Sequence, residues 1–167
     1  MILTADRTDP YGWLARELIG TIDVIANTAR LRLVLHGAIV LLVGLLCGLP
    51  TVSETSTEGV RFWHTAHEAL MMMGFWMLAE SSVVAALVLE PRKAAGLVWS
   101  MLAMGYGFTT GLVIGGIVGV SPFEPGRTPA AFIAFLASTI GILGAVMGTV
   151  LTIMGASAAL KSAPPES

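Results

Sequence analysis

Charged residues are scarce in this chain of 167 residues. Lysine and arginine together number 9, aspartate and glutamate 11, and charged residues make up 12% of the sequence, about half the share found in ordinary soluble domains. So few ions cannot cover a water-facing surface, which excludes a soluble enzyme and a disordered protein. The net charge of −2 leaves no basic surface for phosphates, and this excludes a nucleic-acid partner.

Cysteine is nearly absent as well. The single cysteine, Cys47, lies inside an apolar run, so the chain has neither a disulfide framework nor a cysteine zinc site. Hydrophobic residues, by contrast, make up 55% of the sequence, and the mean hydropathy is +0.82. This combination is typical of an integral membrane protein.

Four apolar stretches approach or exceed the length of about 20 residues that a helix needs to cross a bilayer. Because an open sheet would leave backbone groups unpaired in lipid, we predict helix for all of them. The predicted fold is all-α, an integral membrane four-helix transmembrane bundle over residues 31–161 that is preceded by an N-terminal amphipathic helix. The four stretches are residues 33–49, 63–89, 94–120 and 130–160.

The basic residues predict the orientation in the membrane, because cytoplasmic loops carry an excess of lysine and arginine. With four spans drawn, seven basic residues fall on the side of both termini and two fall on the other side. Both termini are therefore predicted to be cytoplasmic. The seven are Arg7, Arg16, Arg30, Arg32, Arg92, Lys93 and Lys161; the two are Arg61 and Arg127.

The two ends of the chain differ from its middle. Residues 1–30 lack the uninterrupted apolar core and the small-residue cleavage site of a signal peptide. Apolar residues recur there at helical spacing, which indicates either an amphipathic helix on the cytoplasmic interface or a cap packed under the bundle. They are Trp13, Leu14, Leu18, Ile22 and Ile25. Residues 162–167 are polar and proline-containing, and we expect a flexible tail.

Glycines recur at every fourth position in three of the predicted spans. Such small residues let membrane helices approach closely, since apolar side chains gain little by leaving lipid. Close packing is therefore expected, either within the bundle or between subunits. The glycines are Gly44 and Gly48 in the first span, Gly107, Gly111, Gly115 and Gly119 in the third, and Gly144 and Gly148 in the fourth.

An ionisable residue inside a membrane span indicates a functional or structural role, because burying it costs free energy. His64, His67 and Glu68 share one face at the start of the second span. His67 lies about one turn deeper than His64, and it is either a metal ligand or a hydrogen-bonded packing residue. The apolar residues that follow, from Met71 to Met77, would suit a flat cofactor such as haem, although such stripes also occur in cores and on lipid-facing surfaces.

Two further ionisable residues lie within the spans. Glu80 is either a proton-coupling carboxylate or a neutral group bonded to a serine or threonine of a neighbouring helix, and burial favours the neutral form. His36, near the start of the first span, is expected to bond a neighbouring backbone carbonyl.

Taken in order, these features resemble the styrene oxide isomerase family, small four-span bacterial membrane enzymes. The resemblance covers roughly residues 30–161 and rests on an ordered set of short motifs. These are His36-Gly37, Glu58-Gly59, Trp63-x-x-Ala66-His67, Gly74, the Arg92-Lys93 turn, the proline-rich loop from Ser121 and the glycine-rich last span ending at Lys161.

The resemblance implies a homotrimer in a bacterial inner membrane that binds haem b near its subunit interfaces. His67 matches the axial ligand of the iron, and Trp63, Met71 and Gly74 are expected beside the cofactor. In the family, ferric iron acts as a Lewis acid that opens an epoxide, and a 1,2-hydride shift yields an aldehyde. This is a Meinwald rearrangement.

The chain departs from the family where the substrate is held. Met73 stands where the family has an asparagine, and Leu112 falls on the family's pocket tyrosine in a gapless comparison. Tyr106 lies six residues earlier. Met73, Leu112 and Tyr106 are therefore the candidate substrate-pocket residues, and a small hydrophobic epoxide is the expected substrate.

The function predicted from the sequence is haem b binding, with isomerisation of a hydrophobic epoxide if the protein is an enzyme. Two alternatives are a non-catalytic haem protein in redox chemistry, sensing or haem handling, and an accessory subunit of a larger membrane complex. The predicted partners are membrane lipid and further copies of the chain.

Overall fold

The computed structural model describes residues 12–162, and it describes the side chains of residues 27–162. This part of the chain contains five α-helices and no strand. The helices are α1 (Gly12–Cys47), α2 (Pro50–Ser53), α3 (Thr57–Val83), α4 (Pro91–Val118) and α5 (Pro129–Ser162), and a short 3₁₀ turn at Val84–Ala86 follows α3.

Four segments are long and apolar enough to cross a membrane, as predicted. They are Asn27–Ser53, Thr57–Ala86, Pro91–Val118 and Pro129–Ser162. The helix ends differ from the predicted spans by a few residues, chiefly at the second span, where α3 begins at Thr57 and ends at Val83. The chain is thus a multi-pass membrane protein.

The first helix is longer than the first predicted span. α1 runs without a break through residue 30, so the predicted N-terminal helix and the first span are continuous over residues 12–47. The amphipathic face predicted for residues 1–30 lies almost wholly outside the described side chains, and residues 163–167 of the predicted tail lie outside the described residues. α1 ends at Cys47, and Pro50, three residues later, begins α2.

The helices pack as two antiparallel pairs, α1 with α3 and α4 with α5. At the crossing of α1 and α3, Gly37 and Gly74 face each other. A Cβ atom on Gly37 would lie 3.2 Å from the carbonyl oxygen of Gly74, and one on Gly74 would lie 2.9 Å from the backbone nitrogen of Leu41. The missing side chains therefore let these two helix backbones touch.

The glycines of the third and fourth spans bring α4 and α5 together in the same way. A Cβ atom on Gly107 would lie 2.6 Å from the nitrogen of Gly141, and one on Gly144 would lie 2.6 Å from the nitrogen of Met104. The glycines at every fourth position of the third span, Gly107 to Gly119, which we call the glycine stripe, thus pack within the bundle. Its last member differs, because Gly119 has φ +70° and is the left-handed C-cap of α4, a conformation that favours glycine.

Between the two helix pairs lies a core of large apolar side chains. Leu33 and Val40 of α1, Leu70 and Met77 of α3, and Met101 of α4 are fully buried. Many apolar residues on the outer faces are exposed, as is expected of helices that contact lipid.

The start of α3 is well defined by local hydrogen bonds. Ser56 is its N-cap, and the Ser56 hydroxyl accepts from the N–H of Gly59 at 3.0 Å. The backbone N–H groups of Ser56 and Thr55 both donate to Glu54 Oε1, and they hold the pKa of the Glu54 carboxyl below its ordinary value. This stabilisation is present at neutral pH and is lost as the pH falls through the lowered pKa.

The two ends of the bundle differ in charge. Arg32 and Pro91 line one groove, and the N–H of Val88 donates to the carbonyl of Gly155, so the starts of the first and third spans meet the end of the fourth. We call this the basic end, since it carries most of the described basic residues. They are Arg30, Arg32, Arg92, Lys93 and Lys161, whereas Arg61 and Arg127 lie at the opposite end.

Candidate functional site around His67

His67 lies in the third turn of α3, and its ring is held by the end of α1. The Nδ1 atom of His67 is 2.8 Å from the carbonyl oxygen of Gly44. A carbonyl oxygen only accepts hydrogen bonds, so Nδ1 carries the proton. In the neutral ring the lone pair is then on Nε2, the atom that is free to bind a metal.

The carbonyl of Gly44 is available because α1 ends nearby. The last four carbonyls of a helix have no partner within it. At this end the N–H of Gly48 donates to the carbonyl oxygen of Leu45 at 3.0 Å, and not to that of Gly44. His67 therefore caps the first span, and this role requires the helix to end where it does.

Gly48 leaves space for the imidazole. A Cβ atom on Gly48 would lie 3.1 Å from Nδ1 of His67, tighter than an ordinary van der Waals contact. Gly44 similarly lets α3 approach, since its Cβ atom would lie 3.0 Å from the nitrogen of Met71. The two glycines of the first span therefore shape the position of His67.

His64 and Glu68 do not join His67 in one cluster. They pair with each other at 3.4 Å across one helical turn, with side chains 60% and 65% exposed. Among the described residues, no group of three or more histidine, cysteine, aspartate or glutamate side chains is arranged to hold a metal ion. A metal on His67 would need most of its ligands from outside this set.

The residues expected beside a cofactor all lie on the side of α3 that carries His67, within about 40° of it around the helix. Trp63 packs over Gly116 of α4, whose Cβ atom would lie 3.2 Å from the indole ring. Gly74 lies at the crossing with α1. Met71 is half-buried one turn beyond His67, on the side of α3 that faces Gly44. The three therefore share a helix side with His67 but contact different helices, since Trp63 packs on α4 and Gly74 packs on α1.

The candidate substrate residues are not brought together with His67 on one face. Met73 is six residues beyond His67, which places it about 120° around the helix, and it packs against the core. Leu112 is 5% exposed and lines a cavity of about 420 Å³ with Phe62 and Thr65. Since Trp63 lies on Gly116, Leu112, four residues earlier, is level with His67. Its cavity neighbours Phe62 and Thr65 lie about 140–160° around α3 from His67, so the cavity is on the other side of the helix.

Tyr106 has a partner that the sequence did not indicate. Its hydroxyl lies 2.7 Å from Nδ1 of His36, and the two rings meet edge to face with centroids 5.6 Å apart. The expectation that His36 bonds a backbone carbonyl is therefore wrong. The two residues are 70 positions apart and meet because α1 and α4 pack side by side, so spacing along the chain carried no signal of this pair.

Glu80 is buried and bonded as one of its two interpretations predicted. Its side chain is 5% exposed, and the hydroxyl of Thr152 on α5 donates to Glu80 Oε1 at 2.6 Å. The same hydroxyl also bonds the carbonyl of Gly148. Glu80 thus joins the α1–α3 pair to α5.

Comparison with known proteins gives one finding. A family model described as styrene oxide isomerase matches residues 29–159, which is most of the chain. Neither the curated proteins nor the solved structures give a significant match.

Proposed function

The chain belongs to the styrene oxide isomerase family, and from this membership we propose that it binds haem b through His67 and isomerises a hydrophobic epoxide to a carbonyl compound. The observation that carries the proposal is the hydrogen bond from His67 Nδ1 to Gly44. Metal-binding histidines commonly donate their other ring N–H to a carbonyl or carboxylate, which fixes the tautomer and the ring orientation.

The set of donor groups favours haem over a bare metal ion. A structural zinc site takes four protein ligands and a catalytic one takes three, but His64 and Glu68 pair with each other instead of turning towards His67. A porphyrin supplies four nitrogen ligands of its own and needs from the protein only an axial ligand such as histidine. One well-oriented imidazole is therefore sufficient for haem.

The residues near His67 suit a reaction that water would divert. When bound, ferric haem supplies a Lewis acid for the epoxide oxygen. In the overall isomerisation one C–O bond of the epoxide breaks, a hydride moves to the neighbouring carbon, and the oxygen ends as a carbonyl. Met71 and the other apolar side chains along α3 keep water out, and water would otherwise convert the opened epoxide to a diol.

A second candidate function is haem binding without catalysis. It is favoured by the apolar side chains of Met73 and Leu112, which offer no hydroxyl or amide to a substrate oxygen. Tyr106 does not replace them, because its hydroxyl is bonded to His36. The homotrimer implied by the family resemblance, with haem near its interfaces, stays a prediction.

Spectra and product analysis test the two functions. We expect the detergent-purified protein to show a Soret band and to give a b-type pyridine haemochrome. We also expect it to convert at least one compound in a panel of aryl and alkyl epoxides to an aldehyde or ketone. A Soret band without conversion of any epoxide would support the non-catalytic function, and a protein that takes up no haem would contradict both.

The orientation of the chain is proposed from the basic end. Because cytoplasmic ends of membrane proteins are enriched in lysine and arginine, we propose that the basic end and both termini are cytoplasmic. A cytoplasmic reporter fused after Ser167 should be active, and a periplasmic reporter at the same position should be silent. The same periplasmic reporter inserted after Gly126 should be active. The reverse pattern would contradict the proposed orientation.

A further inference from the structure

A groove between α1 and α4 at the basic end has no role in the proposed haem chemistry. Its volume is about 210 Å³, and its walls include Arg32 of α1 and Ala94, Ala95, Val98 and Trp99 of α4. The other side chains that line the groove are apolar, except that of Thr28. The groove therefore combines one cationic group with an apolar wall.

The positive charge at this groove is not neutralised by the described part of the chain. Lys93 is paired with Glu90 at 3.1 Å. Within residues 27–162, no carboxylate forms an ion pair with Arg30, Arg32 or Arg92. Since ions are scarce in this chain, three arginines at one end of the bundle leave a local excess of positive charge that an anion can neutralise.

Trp99 extends the groove towards the middle of the membrane. It lies two helical turns beyond Pro91, about 12 Å along α4, and its side chain is 67% exposed. Tryptophan is enriched where hydrocarbon meets the headgroup region. Arg32 and Trp99 thus line one groove. The charge of Arg32 can pair with a lipid headgroup, and the ring of Trp99 can pack against an acyl chain of the same lipid.

We propose that this groove binds an anionic phospholipid, with the phosphate at Arg32 and an acyl chain along Val98 and Trp99. Basic pockets between transmembrane helices on one membrane face are a recurring form of lipid-headgroup recognition. The groove opens on the outer surface of two spanning helices, so a lipid reaches it directly from the bilayer. The proposal is independent of haem binding.

Fluorescence quenching of Trp99 tests the proposal. The full-length protein is placed in bilayers of phosphatidylcholine that contain increasing fractions of phosphatidylglycerol, with brominated acyl chains on one lipid or the other. The Trp99 signal is obtained by subtracting the emission of Trp99→Phe, which removes the contribution of the other three tryptophans. We expect phosphatidylglycerol to be preferred over phosphatidylcholine by about fivefold, the order expected for one arginine near an anionic headgroup.

Arg32→Gln should remove this preference, and Arg127→Gln, at the opposite end of the bundle, should leave it unchanged. Circular dichroism and gel filtration check that both variants remain folded. Equal quenching by the two lipids in the parent protein would overturn the proposal, as would an unchanged preference in Arg32→Gln. Loss of the preference on adding millimolar inorganic phosphate would also overturn it, because the groove would then be a site for soluble phosphate.

Discussion

Replacing His67 with alanine should abolish the Soret band of the purified protein, whereas replacing His64 with alanine should leave it close to that of the parent. The reason lies in how the two rings are held. His67 donates through Nδ1 to Gly44, which presents Nε2 for ligation, while His64 is exposed and paired with Glu68. Loss of the axial ligand removes a direct bond to iron, so the expected effect is close to complete loss of haem.

The alanine variant also leaves the Gly44 carbonyl without its partner, at a cost of about 1–3 kcal/mol if the carbonyl remains buried. Added imidazole separates loss of the ligand from loss of the fold, because imidazole can fill the space of the missing ring. Its addition to His67→Ala should restore a large part of the Soret band. A normal Soret band in His67→Ala without imidazole would refute the ligand assignment. Equal loss in His64→Ala would mean that both histidines are needed or that the start of α3 has collapsed.

Replacing Gly144 with leucine should prevent the native bundle from forming. A Cβ atom there would lie 2.6 Å from both the nitrogen of Met104 and the carbonyl oxygen of Ser100. Both are backbone atoms, so no side-chain rotation relieves the contact, and α4 and α5 must separate. Even Gly144→Ala should lower the free energy of unfolding by about 1–3 kcal/mol, the usual cost of overpacking.

Gly96 provides a matched control on α4. A Cβ atom at Gly96 meets only the Leu151 side chain, at an ordinary distance of 3.5 Å. Gly96→Ala should therefore leave the stability unchanged or raise it by up to about 1 kcal/mol through helix propensity. Unfolding in mixed micelles of increasing denaturing detergent compares the variants. Equal stability of Gly144→Ala and Gly96→Ala would contradict the close α4–α5 contact.

The four spans could be predicted from the sequence because their signals are local. Apolar runs of sufficient length, interrupted at Pro91 and Pro129, determine where helices cross lipid and begin. The glycine stripe likewise predicted close packing. Its partner could not be predicted, because both a neighbouring helix and another subunit satisfy the same spacing. Gly119 matched the stripe by position, yet its left-handed backbone gives it a different role.

The site was predictable only in part. His67 stood out as an ionisable residue within a span, but the bond to Gly44 depends on where α1 ends and on the turn of the Gly48 N–H back to Leu45. The pair of His36 and Tyr106 depends on the lateral packing of α1 against α4. Such contacts between distant residues arise from tertiary packing, and no periodicity in one segment encodes them.

The arrangement of the helices in two pairs has a consequence for biosynthesis. Each pair consists of spans that are consecutive in the chain, so most close contacts join residues that leave the ribosome within a short time of each other. Topologies with such local contacts fold fast, and in growing chains the N-terminal part folds first. Gly44 and His67 both belong to the first hairpin, so the imidazole can be oriented before the second hairpin is inserted. The proposed haem ligand is then oriented by contacts within the first half of the protein alone.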